Sequence, residues 1–125
     1  MMSLTALRVI AWVHAAGICL QPVFAGVYLN GSPAGMRMHE SVGLALVFLG
    51  LTQLLLATIW WRAGGRMTAP AVALLITAGE VLQVAMGYSR DLAIHIPLGI
   101  GLVAGAIGFA FWTNSQSIQR EQVAA

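Results

Sequence analysis

Two stretches of the chain repeat one chemistry-bearing spacing: HESVGLALV from position 39 and HIPLGIGLV from position 95. Each places a histidine at the mouth of an apolar run, with a glycine one helical turn further on. A neutral imidazole offers one ring nitrogen to a metal while the other donates a hydrogen bond, and two opposed imidazoles are axial ligands for haem iron. Arg37 precedes the first histidine and Arg90 the second. The guanidinium fork suits carboxylates, such as the propionates of haem. Gly43 and Gly99 lie on the histidine face and open space beside each imidazole, as a flat macrocycle between helices requires. The alternative is that the histidines are interfacial, the arginines flank helices, and the glycines promote close packing, as in Gly101-x-x-x-Gly105. Met36 and Met38 beside His39 also suit Cu(I) in ligand type, but two thioethers and one imidazole in one loop are a weak signal.

His14 and Glu80 form a second constellation. Glu80 falls near the middle of an apolar segment, and an intramembrane carboxyl is a functional candidate by default. His14 lies within about 5 Å of the same depth at ~1.5 Å per residue. An ionised carboxylate there is costly, so Glu80 is expected to be neutral or paired with His14. Such a pair serves as a proton relay, a quinone contact or, as the sequence slightly favours, a structural interhelical bond. Gln21, Gln53 and Gln83 are also expected to bond between helices.

The elements that position these residues follow from composition. Of 125 residues 59% are apolar and 8% charged, too few charges for a water-soluble surface. Four apolar segments, roughly 5–28, 38–61, 68–88 and 92–113, are each long enough to cross a bilayer core of about 30 Å. Asn30-Gly31-Ser32-Pro33, Arg62 to Arg66 and Ser89-Arg90-Asp91 supply the turns, with Ser32 and Asp91 as N-caps. The links are short, so the fold class is an all-α integral membrane bundle, up-down-up-down, in one domain over 1–125. A polar, fraying tail is expected after Asn114. The bundle is expected to lie in the cell membrane. Four arginines (Arg8, Arg62, Arg66, Arg120) against two (Arg37, Arg90) place both termini in the cytoplasm and both site histidines near the outer face. Three of the four tryptophans suit an interfacial belt.

Gln21 leads to Gly26 and Tyr28, and Gln83 to Gly87 and Tyr88, so helices 1–2 and 3–4 read as two copies of one hairpin related by a pseudo-twofold axis along the membrane normal. Helices 2 and 4 are then diagonal partners, with His39, Gly43, Leu46, Gly50 and Gln53 on one interior stripe and His95, Gly99, Leu102, Ala106 and Phe109 on the other.

A four-helix membrane bundle with a histidine at the outer end of helix 2 and another on helix 4 resembles one half of the haem A synthase family, which joins two such bundles. The resemblance covers nearly the whole chain and rests on His39, His95 and topology. Where the family usually has a glutamate three residues before the helix-2 histidine, this chain has Met36, and Glu40 follows His39; the outer cysteine pair of many members is absent. What the resemblance implies is a b-type haem (haem b) held by His39 and His95.

The leading expectation is therefore a small haem protein of electron transfer or haem handling, with a quinone or another membrane redox partner and a homodimer among its associations. Whether it is an enzyme is left open. The alternatives are a non-catalytic accessory subunit and a small proton-coupled transporter using Glu80. The absence of lysine excludes a retinal Schiff base. The dispersed net charge of +2 does not suggest nucleic-acid binding. The single Cys19 has no intrachain disulfide partner.

Overall fold

The computed structural model describes residues 2–124, and the side chains of residues 4–116. Four helices follow one another: α1 Met2–Leu29, α2 Pro33–Arg62, α3 Thr68–Ser89 and α4 Leu92–Ala124. All four are long and apolar enough to cross a membrane, and the chain is a multi-pass, all-α membrane bundle. In lipid only helices satisfy every backbone donor and acceptor within one segment, which is why the apolar runs fold this way.

The turns obey local chemistry. Gly31 and Gly64 both adopt φ +91°, a region that side chains with a Cβ disfavour. Pro33 begins α2 at a position where its missing N–H costs nothing. Ser32 caps α2 by position alone, without a side-chain bond. Asp91 caps α4, its carboxylate accepting from the Ile94 N–H at 3.4 Å. Two boundaries differ from the sequence expectation. α2 starts at Pro33 rather than near 38, because Pro33 nucleates the first turn ahead of the apolar run. α4 continues to Ala124 past Asn114, because the polar segment there is rich in good helix formers.

Each helix packs on its sequence neighbours, α1 also packs on α4, and the diagonal pairs α1/α3 and α2/α4 make no close backbone approach among the described residues. The bundle has a hairpin end, with the α1–α2 and α3–α4 links, and a terminal end, where the chain begins and finishes. The α2 and α4 stripes expected from spacing do line the interior. They are buried from Leu46 and Leu102 towards the terminal end and half-buried at His39, Gly43, His95 and Gly99. At the terminal end Trp60 is turned into the core, edge-on to Trp112 at 6.2 Å, instead of joining an interfacial belt. Arg8 ties α1 to α4 through the Thr113 and Asn114 carbonyls at 3.4 and 3.3 Å.

Gly35 sets the tightest backbone approach at the α1–α2 hairpin. A Cβ there would meet the Tyr28 nitrogen, with the Phe24 carbonyl oxygen at 2.6 Å. Backbone cannot swing aside as a side chain can, so Gly35→Ala should cost about 1–3 kcal/mol of stability. A thermal-unfolding series with Ala34→Gly as the control measures it.

Candidate functional site

His39 stands on the second turn of α2 and His95 on the first turn of α4. The diagonal places their ring centres 6.0 Å apart with planes at 57°. Each imidazole is fixed by a backbone carbonyl of the preceding helix. His39 Nδ1 lies 3.1 Å from Gln21 O, and His95 Nδ1 donates to Gln83 O at 2.9 Å. A carbonyl only accepts, so in His95 the proton sits on Nδ1 and Nε2 is left as the bare lone pair. That arrangement prepares an imidazole for a metal, since the hydrogen bond sets both tautomer and ring orientation. Turned with its amide nitrogen towards His39, the Gln21 side chain donates to the His39 carbonyl at 3.0 Å, reaches His39 Nδ1 at 3.1 Å and accepts from the Gly43 N–H at 3.3 Å, so this Nδ1 stands between a carbonyl acceptor and an amide donor.

Glutamines from the neighbouring helix stand over both glycines, and only at Gly99 is the fit tight enough to favour glycine. A Cβ on Gly43 would lie 3.6 Å from the Gln21 amide group, an ordinary contact, and one on Gly99 would lie 2.9 Å from Gln83 Nε2. The residue directly against the His95 ring is Gly87, 3.0 Å from Cε1 by the same measure. One layer towards the terminal end, Leu46 fills the space over Gly17 and Leu102 the space over Gly79, with Cβ approaches of 2.7 and 2.9 Å. The shift that carries Gln21 to Gln83 also carries Gly17 to Gly79, and the shift that carries His39 to His95 also carries Leu46 to Leu102. The hairpin repeat is thus realised at the histidine–carbonyl contacts and in the Gly17–Leu46 and Gly79–Leu102 layer, but not at Gly87, since Gly26 meets nothing within 4 Å. Sequence reading missed Gly17, Gly79 and the two glutamine carbonyls; a search for glycines in register across the two hairpins would have found the first pair.

Arg37 and Arg90 are exposed at the hairpin end, and neither forms an ion pair with a described residue. Arg90 holds φ +59° as the residue that ends α3, its N–H donating to Gly87 O at 3.1 Å. A left-handed arginine costs about 1–2 kcal/mol, so its backbone is fixed by the turn while its head is free. Beside it, Tyr88 donates to Glu40 at 2.6 Å, linking α3 to α2 next to His39. Met36 and Met38 are both exposed.

The second constellation lies deeper. His14 Nε2 and Glu80 Oε1 are 2.6 Å apart across the α1/α3 diagonal, and His14 Nδ1 lies 3.2 Å from Gln53 Oε1 of α2. His14 is fully buried and Glu80 nearly so. Gly50 makes the room: a Cβ there would collide with Glu80 Oε2 and stand 2.9 Å from the Thr77 hydroxyl. Buried Glu80 Oε2 and Gln53 Nε2 have no hydrogen-bond partner among the described residues.

The donor set fits haem. Two imidazoles on opposite sides of one metal, with metal–nitrogen bonds of about 2 Å, place their ring centres about 6 Å apart, the separation seen between His39 and His95. Among the described residues no cluster of three or more His, Cys, Asp or Glu side chains gathers to hold a free ion, and a haem iron needs only two from the protein. No protein-family model, curated protein or solved structure matches the chain.

Proposed function

We propose that this chain is a small b-type haem protein of the membrane, serving electron transfer or haem handling, with the haem seated between α2 and α4. The observation that carries this reading is the repeat-related pair of half-buried imidazoles, each with Nδ1 against a backbone carbonyl of the preceding helix and with ring centres 6.0 Å apart. A structural histidine needs one satisfied nitrogen. Two repeat-related histidines held through Nδ1 with their rings close across a membrane bundle suit a haem iron, which takes two imidazoles from a protein. Bound haem supplies one-electron chemistry, and its burial and axial ligands set the potential.

The remaining roles belong to the chain. Gln83 fixes the His95 tautomer through its carbonyl, and Gln21 holds the His39 ring. Arg37 and Arg90, exposed and without ion-pair partners among the described residues, receive the propionates at the hairpin end. The arginine-poor hairpin end faces outwards and both termini lie in the cytoplasm of a cell membrane. A membrane quinone or another redox protein delivers or takes the electron at that outer end.

Replacing Arg37 and Arg90 together by glutamine should weaken haem retention several-fold or shift the midpoint potential, as read by apo-protein titration and by spectroelectrochemistry. Unchanged values in both measurements would make the arginines plain loop charges. The ligand assignment itself is tested by the histidine substitutions treated below.

A further inference from the structure

We propose that His14, Gln53 and Glu80 form a proton-binding site inside the bundle, and that its occupancy responds to the charge held between His39 and His95. The second half rests on the haem reading; the first stands without it.

The hairpin repeat supplies an internal control. The register that superposes the two histidine sites pairs His14 with Ile76, Glu80 with Ile18, Gln53 with Phe109 and Gly50 with Ala106. All four counterparts are buried and apolar or small. At this depth the same fold therefore closes with isoleucine, phenylalanine and alanine, and packing does not require a polar cluster. Moving an imidazole, a carboxyl and an amide into that layer costs desolvation. The copies remain alike at the Gly17–Leu46 and Gly79–Leu102 layer and at the histidines, and diverge where His14 meets Glu80.

The geometry suits a proton. Glu80 Oε1 and His14 Nε2 share one proton across 2.6 Å. In one placement an imidazolium donates to the carboxylate; in the other the carboxyl donates to a neutral imidazole. Gln53 Oε1 accepts from His14 Nδ1 in both, so the proton crosses without movement of heavy atoms. Glu80 Oε2 is buried and unpartnered. It is the atom that takes a second proton: imidazolium–carboxylate plus one proton gives imidazolium–carboxylic acid, and the pair goes from neutral to +1. The groups facing the pair are few. α1 brings His14 itself; α2 brings Gln53 and Gly50, neither titratable; on α3 the Thr77 hydroxyl already donates to Ala73 O at 2.9 Å. Among the described side chains of α4, His95 is the only titratable one.

The pair lies one apolar layer from the histidine site. Seven residues of α1 separate His14 from Gln21, about 10 Å of helix. Charges at that distance inside a membrane protein interact with little screening by salt. One electron delivered to the haem by a quinol-type or chemical one-electron reductant then favours one proton at the pair, and the midpoint potential should fall as pH rises.

The test uses the full chain in lipid nanodiscs. Midpoint potential is measured against pH for the haem-loaded wild type, for Glu80→Gln, and for the symmetrised variant His14→Ile/Gly50→Ala/Gln53→Phe/Glu80→Ile, which imports the apolar solution of the other hairpin should Glu80→Gln fail to fold. Infrared difference spectra of the haem-free wild type and Glu80→Gln are recorded over the same pH range. The expected result is a pH-dependent potential in the wild type, its Glu80-linked slope lost in the variants with haem retained, and a pH-dependent carboxyl band absent from Glu80→Gln. A flat wild-type potential, or equal slopes in wild type and variants, overturns the coupling. Infrared spectra without a pH-responsive Glu80 band overturn the proton site. If the wild type takes up no haem, the haem reading and the coupling fall together, and the infrared titration alone decides the proton site.

Discussion

His39→Ala and His95→Ala should each abolish the low-spin, two-histidine haem spectrum and lower haem affinity by well over the roughly 10–100-fold that loss of a ligand's supporting partner costs. The two losses should be equal in kind, because the repeat gives both rings the same Nδ1–carbonyl support. His14→Ala should leave that spectrum in place, since His14 bonds to Glu80 and Gln53 a layer away. Haem titration of the three purified variants, read by absorbance, makes the comparison. If both His39→Ala and His95→Ala keep the wild-type spectrum, the ligands are elsewhere.

The largest expected effect on stability comes from the deeper pair. Glu80→Ala removes the partner of a fully buried imidazole and opens a polar gap beside Gly50. Leaving such a group unpaired should cost at least about 2 kcal/mol. His14→Ile together with Glu80→Ile should regain most of that loss, because apolar groups of suitable volume replace a buried polar pair at little cost. Unfolding in a mixed detergent series gives the three values. A double variant as unstable as Glu80→Ala would mean that the bundle depends on the polar pair for packing, against the example set by Ile18 and Ile76 in the other copy.

Much of this architecture is legible in the sequence because membrane helices are dictated by length and apolarity, and short links leave little choice of topology. The interior stripes through His39 and His95 follow from helical spacing alone. So does the similar depth of His14 and Glu80, and the structure joins them directly. The carbonyl partners were not legible, since any residue carries a carbonyl and only the relative rotation of two helices decides which one meets an imidazole. Gly43 and Gly99 show the same limit: spacing puts them on the histidine face, but the register of the neighbouring helix decides that Gln21 and Gln83 stand over them. Which tryptophan leaves the interfacial belt was not legible, because a tryptophan at a helix end satisfies both an interfacial and an interior pattern, and the close approach of Gly65 to the Trp60 ring is a tertiary event.

The central claim is that the hairpin end of the bundle holds one haem between His39 and His95. The most direct test is the absorption spectrum, oxidised and then dithionite-reduced, of the purified chain after incubation with one equivalent of haem b and removal of the excess. The expected result is a red protein with one haem per chain and the sharp reduced bands of a low-spin, six-coordinate b-type centre. A colourless protein after the same loading, or a high-spin spectrum like that of haem in detergent alone, would contradict it.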